Sequence, residues 1–142
     1  MPHGDQMYPE FFRLVRRMQQ RHAQLWAAGD IPITRVQFVA LRTLVGKPGI
    51  EPVELARLLE IDKATLAGVL SRLEATGNIR REVVPSDRRR RLLFVTDAGR
   101  KLVADFEPVT IEINRRLFAP VSESQMRELL RLISYVADEG SE

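Results

Sequence analysis

Along the first stretch of the chain the apolar positions Tyr8, Phe11, Val15, Met18 and Leu25 recur at alternating spacings of three and four, with His22 on the same seam. Phe12, Leu14 and Trp26 widen the stripe, and the pattern predicts an amphipathic helix from Pro9 to about Ala28. Gly29-Asp30-Ile31-Pro32 breaks it. Thr34 followed three residues later by Gln37 has the form of a capping box, and Val36, Val39, Ala40, Leu41, Leu44 and Val45 give the next helix its apolar face. Gly46-Lys47-Pro48-Gly49 ends that helix. Pro52, whose missing N–H is harmless in a first turn, opens a short third helix that buries Val53, Leu55, Ala56, Leu58 and Leu59. Ile61 and Asp62 interrupt it. Asp62 suits the N-cap of a fourth helix, in which Leu66, Val69, Leu70 and Leu73 share one side and Gly77 is placed to cap the end. Two helices joined so closely read as a helix-turn-helix.

After Gly77 the residue types change. Ile79-Arg80-Arg81-Glu82-Val83-Val84, the turn-prone Pro85-Ser86-Asp87 and then Leu92-Leu93-Phe94-Val95 predict a β-hairpin whose tip loop carries the arginines. Thr96 can cap a fifth helix containing Leu102, Val103, Phe106, Val109, Ile113, Leu117 and Phe118, which Pro108 should kink or restart. Pro120 stops it. Ser122 and Gln125 form a second capping box, ahead of a last helix with Met126, Leu129, Leu130, Ile133 and Val136 on a common side. The fold class is mainly α with a small β-hairpin wing.

Composition narrows the function. The 142 residues are 44% apolar, enough for a real core, which excludes a disordered tail. Lys and Arg number 22 against 19 Asp and Glu, a net +3, and the pI is about 9.8. That surplus is focused: from Arg80 to Arg91 six arginines oppose only Glu82 and Asp87, a local +4. The absence of cysteine excludes disulfides, thiolate metal sites and thiol redox switches, and two histidines, His3 and His22, give no basis for a metal cage. No metal or cofactor is expected. His3 is assigned no role. Neither a signal peptide nor an apolar stretch long enough for a membrane span is present, so a cytoplasmic protein without membrane contact is expected. There is no Gly-rich phosphate loop, nucleophile elbow or recognisable pair of catalytic carboxylates, so an enzyme is not expected.

At 100° per residue the fourth helix opposes its leucine face with Ala64, Ala67, Gly68, Ser71 and Ala75, flanked by Thr65 and Arg72. Solvated helix faces usually carry Glu and Lys. A face of small residues instead lets a helix backbone approach a broad surface such as the floor of a DNA major groove, or another helix packed on that side. Arg88, Arg89, Arg90 and Arg91 are either a solvated run or a phosphate-binding wing beside a recognition helix; planar, permanently charged guanidinium groups suit phosphate and the minor groove.

Thr34-x-x-Gln37-Phe38-x-x-Leu41-x-x-Leu44, Leu55-Ala56-x-x-Leu59-x-Ile61-Asp62-Lys63-x-Thr65, Arg72-Leu73-Glu74-x-x-Gly77, Asp87-Arg88-Arg89 and Thr96-Asp97-Ala98-Gly99 together resemble the MarR (multiple antibiotic resistance regulator) family, from about Thr34 to Leu102. The resemblance implies a winged helix-turn-helix with N- and C-terminal dimerisation helices: residues 1–33 as the first dimerisation helix, 34–99 as the DNA-binding lobe, and 100–142 as the remaining dimerisation helices. It implies a cytoplasmic homodimer that binds pseudo-palindromic operator DNA as a transcriptional regulator, a repressor released by a small aromatic or phenolic ligand. Carried over by position, Thr65 and Arg72 match major-groove and phosphate positions of the recognition helix; with the small outward face and the basic run, DNA contacts are expected at Lys63, Ala64, Thr65, Ala67, Gly68, Ser71 and Arg72 of that helix and at Arg88, Arg89, Arg90 and Arg91 of the wing. Arg89 matches the arginine that enters the minor groove, and Asp87 matches the carboxylate that braces the wing. Ala64 and Ala67 replace residues that are often hydroxylic in the family, which shifts weight to thymine methyl contacts or DNA shape. Arg90 and Arg91 stand where smaller or uncharged residues are commoner. His22 is either a hydrogen-bonded member of a dimer seam or, with Trp26 and Arg17, part of a pocket for an anionic aromatic effector. The competing function is a winged helix used only for protein–protein contacts.

Overall fold

The computed structural model describes residues 4–138, which leaves His3 outside the described residues. Six helices and one hairpin follow in the order α1 (Met7–Ala28), α2 (Arg35–Gly46), α3 (Pro52–Leu59), α4 (Lys63–Ala75), β1 (Ile79–Val84), β2 (Asp87–Val95), α5 (Asp97–Leu117) and α6 (Glu123–Asp138). The mainly α architecture with a two-stranded wing is the one the sequence pattern predicts.

Local chemistry sets most of the boundaries. Thr34 and Gln37 make both bonds of the capping box, Gln37 N–H to the Thr34 hydroxyl at 3.2 Å and Thr34 N–H to the Gln37 side chain at 3.1 Å. Ser122 and Gln125 repeat the device ahead of α6, at 2.9 and 3.2 Å. Helix α4 ends with Gly77 at φ +77, where Gly77 N–H reaches the Glu74 carbonyl at 3.0 Å and Asn78 N–H the Leu73 carbonyl at 2.9 Å. That paired closure satisfies two otherwise orphaned carbonyls and needs a residue without a Cβ penalty.

Three boundaries differ from the sequence reading. Helix α1 starts at Met7, so Pro9 is its third residue, still among the first four positions whose N–H has no helical partner. Helix α5 runs unbroken from Asp97 to Leu117 with Pro108 inside and does not restart; the Thr110 hydroxyl donates to the Glu107 carbonyl at 2.8 Å beside it. Strand β2 begins at Asp87, so the arginines expected in a tip loop belong to the strand, and only Pro85 and Ser86 form the turn.

Two compact units divide the chain. Residues 30–110 form one, and residues up to Gly29 together with those from Ile111 form the other. In the first, Leu41, Leu44, Leu55, Leu66, Leu70, Leu73, Ile79 and Leu93 are almost wholly buried in one cluster. Each such leucine is worth on the order of 2–3 kcal/mol over an exposed one. Leu93 also pairs its backbone with Ile50, through N–H to carbonyl at 3.0 Å, which adds a single bridge to the hairpin edge. In the second unit, neither α1 nor α6 contains a fully buried residue. Among the described residues no helix is long and apolar enough to cross a membrane.

Candidate nucleic-acid interface

Helix α4 is anchored at its N-terminus by Asp62, which accepts the Thr65 backbone N–H at 2.7 Å on one carboxylate oxygen and the Thr65 hydroxyl at 2.7 Å on the other. These bonds, the backbone one foremost, hold the Asp62 carboxyl below the usual carboxylate range. A lowered folded value means that the cap is fully present above the ordinary carboxylate range and is lost only as pH falls through that lowered value. The leucine face of α4 is in the core, while Lys63, Ala64, Thr65, Ala67, Gly68, Ser71 and Arg72 are all exposed. A Cβ built on Gly68 would meet nothing within 4 Å. Packing within the described protomer therefore does not require small residues here, which removes the reading of α4 as a helix covered on both sides by its own chain.

The wing gathers charge through its register. Ile79 pairs with Val95, Arg81 with Leu93 and Val83 with Arg91, but Val84 pairs with Asp87, so Arg88, Arg89 and Arg90 have no cross-strand partners at a break in the ladder. Such a bulge re-aims side chains at a strand tip. Asp87 accepts the Arg89 backbone N–H at 3.0 Å, so its carboxylate shapes the turn through the main chain of Arg89.

The basic residues separate into two sets. Arg80 pairs with Glu82 and lies 4.5 Å over the Phe94 ring; Arg81 Nε is 3.1 Å from Glu74 at the end of α4. Arg90 Nε donates to Glu51 at 2.7 Å, and Arg91 turns back on the carbonyls of Arg88 and Arg90. The side chains of Lys63, Arg72, Arg88 and Arg89 have no ion-pair partner among the described residues. Glu51 had no sequence signal, because it stands at the N-cap position of α3 without a capping bond and meets Arg90 across 39 positions.

Of the three residues read as an effector pocket, His22, Trp26 and Arg17, only the first two are brought together. His22 and Trp26, one turn apart on α1 and both half-buried, stack with centroids 5.9 Å apart at 28°. Arg17 lies nine residues before Trp26, on the opposite side of α1 at 100° per residue. Among the described residues no group of three His, Asp or Glu side chains is placed to hold a metal.

Comparison with known proteins places this geometry. The model of the MarR family matches residues 33–90. The transcriptional regulator HosA of Escherichia coli O111:H- is 32% identical over 122 residues, which span 86% of this chain and 90% of HosA. A crystal structure of cysteine-substituted MarR from Escherichia coli complexed with operator DNA is 26% identical, with a TM-score of 0.79 over 89% of this chain and 93% of that one. The structure of Bordetella bronchiseptica BpsR, described with the regulation of its DNA binding by 6-hydroxynicotinic acid, is 29% identical, with a TM-score of 0.80 over 91% and 99%.

Proposed function

Since the chain belongs to the MarR family of transcriptional regulators, we propose that it acts in the cytoplasm as a homodimeric repressor, binding pseudo-palindromic operator DNA and released by a small aromatic acid. The observation that carries the DNA-binding part is the division of the cations. Arg80, Arg81, Arg90 and Arg91 have partners within the protein, whereas Lys63 and Arg72 on α4 and Arg88 and Arg89 at the wing tip are left for an external anion. The small exposed face of α4 suits the major groove, Lys63, Arg72 and Arg88 suit phosphate, and Arg89 suits the minor groove. A winged helix used only for protein contacts would leave Arg88 and Arg89 of the wing without an anionic target. A gel shift with the DNA flanking its own gene is expected to give a complex that survives excess nonspecific DNA; a complex titrated away by that competitor removes the operator reading.

Self-association follows from exposed apolar surface. Tyr8, Phe11, Phe12 and Met18 on α1 and Leu130, Ile133, Tyr135 and Val136 on α6 are all exposed in the single chain, a load that soluble monomers rarely carry. A second copy covering them accounts for it. Light scattering at micromolar concentration should report a dimer, whose two-fold axis requires operator half-sites about 10 base pairs apart. A monomer would remove both expectations.

For the ligand, the support is the stacked His22–Trp26 pair and the likeness to BpsR. An aromatic carboxylate can stack on indole and pair its charge with a cation. Tenfold release of operator needs about 1.4 kcal/mol of preference for the non-binding form. Such an acid should raise the melting temperature of the parent and weaken its operator complex, and Trp26→Ala should abolish both effects while leaving the dimer intact. A Trp26→Ala protein that responds as the parent does would exclude this pair from the ligand site.

A further inference from the structure

We infer that Thr65 reads the major groove with a fixed polarity, accepting a hydrogen bond from an exocyclic base amine, adenine N6 or cytosine N4, and donating none to DNA. The inference rests on the DNA-binding reading above and specifies what that surface recognises. A hydroxyl has one hydrogen and two acceptor lone pairs. The Thr65 hydrogen goes to Asp62 at 2.7 Å, while the other carboxylate oxygen of Asp62 takes the Thr65 backbone N–H at the same distance. Both ends of one carboxylate thus grip one residue and set the hydroxyl's direction. An ionised carboxylate only accepts, so the hydrogen cannot be turned to the DNA side without breaking the hydroxyl–carboxylate bond. Held below the usual carboxylate range by these same bonds, Asp62 is ionised at neutral pH.

Thr65 is exposed, and what it offers outward is lone pairs. Phosphate oxygens, guanine O6 and N7 and thymine O4 are acceptors and gain nothing from it; the negative Asp62 beside it further disfavours phosphate. Adenine N6 and cytosine N4 are the major-groove donors that remain. Ala64, Ala67 and Gly68 supply no side-chain hydrogen-bonding group, so the first polar readout on this face falls to Thr65, with Ser71 six residues further on.

The test is selection from a randomised duplex pool by the full-length protein, followed by affinity measurements on the enriched sequence. The parent should prefer adenine or cytosine at one position per half-site, with a change there costing up to about a hundredfold in affinity. Thr65→Val should flatten that position alone, leaving the other positions and the salt dependence unchanged, and Thr65→Ser should retain it. Asp62→Asn is the sharper variant: its amide oxygen still caps α4, but its NH2 donates to the Thr65 hydroxyl and frees the hydrogen, so the preference should move towards guanine or thymine. A Thr65→Val protein weakened equally on all sequences, or an Asp62→Asn protein with unaltered preference, overturns the inference while the DNA-binding reading stands. A parent that enriches no sequence overturns both. Thermal melts of each variant separate misfolding from altered readout.

Discussion

Arg89→Ala is expected to cost on the order of 2–6 kcal/mol of operator affinity, from about 1–3 kcal/mol at each of the two half-sites of a dimer. The side chain sits at the break in the wing ladder, its backbone fixed by Asp87 and its guanidinium unpaired within the described protein. A guanidinium held ready at a strand tip can enter a narrow minor groove, where A·T-rich sequence deepens the negative potential. The loss should therefore be larger on A·T-rich flanks than on G·C-rich ones. Arg90→Ala is the comparison: its guanidinium already belongs to Glu51, an exposed pair worth about 0–1 kcal/mol, so its removal should loosen the wing slightly without altering flank preference. Asp87→Ala should follow Arg89→Ala more mildly, since it shapes the turn without touching DNA. Fluorescence anisotropy on operators with both kinds of flank measures all three, and Arg89→Ala within error of the parent would take the wing off the DNA.

Gly99→Ala should be strongly destabilising, more than Gly→Ala at Gly68, where the added Cβ meets nothing within 4 Å. A Cβ at Gly99 would lie 2.7 Å from a Val95 methyl and closer still to the Asn78 carbonyl oxygen. That carbonyl cannot retreat freely, because it accepts the Thr96 N–H at 3.1 Å, while the Thr96 hydroxyl donates to Gly77 at 2.6 Å and receives the Gly99 N–H at 3.2 Å. The end of α4, the base of the wing and the start of α5 meet in this one knot. Overpacking it should cost about 1–3 kcal/mol or more, a fall of several degrees in melting temperature. Gly68→Ala is the control, since open space surrounds Gly68 and alanine favours a helix interior by up to about 1 kcal/mol. A melt in which Gly99→Ala matches Gly68→Ala would contradict this packing account.

Most of the fold was legible because its helix starts are written in short-range chemistry. Thr34 with Gln37, Asp62 with Thr65, and Ser122 with Gln125 each make their bonds within three residues, and the leucine spacing behind each cap names the buried face. The wing was legible as a hairpin but not in its extent. Four successive arginines show none of the alternation by which a strand is recognised; the run is held in β2 by the pairing of its flanks, Asp87 with Val84 and Arg91 with Val83, and Leu93 further along by its bridge to Ile50. The partition of the arginines was equally hidden. Charge density marked the whole run, but which members are free depends on Glu51 and Glu74, carboxylates that only tertiary folding brings to Arg90 and Arg81.

The central claim is that α4 and the wing tip hold operator DNA through side chains the protein leaves unpaired, and the salt dependence of operator affinity tests it most directly. Lys63, Arg72 and Arg88 from two protomers would neutralise about six phosphates, or about eight if Arg89 is counted. The slope of log affinity against log salt should then be roughly −5 to −7. A slope shallower than about −2 would contradict the account, because it would leave these cations off the phosphate backbone.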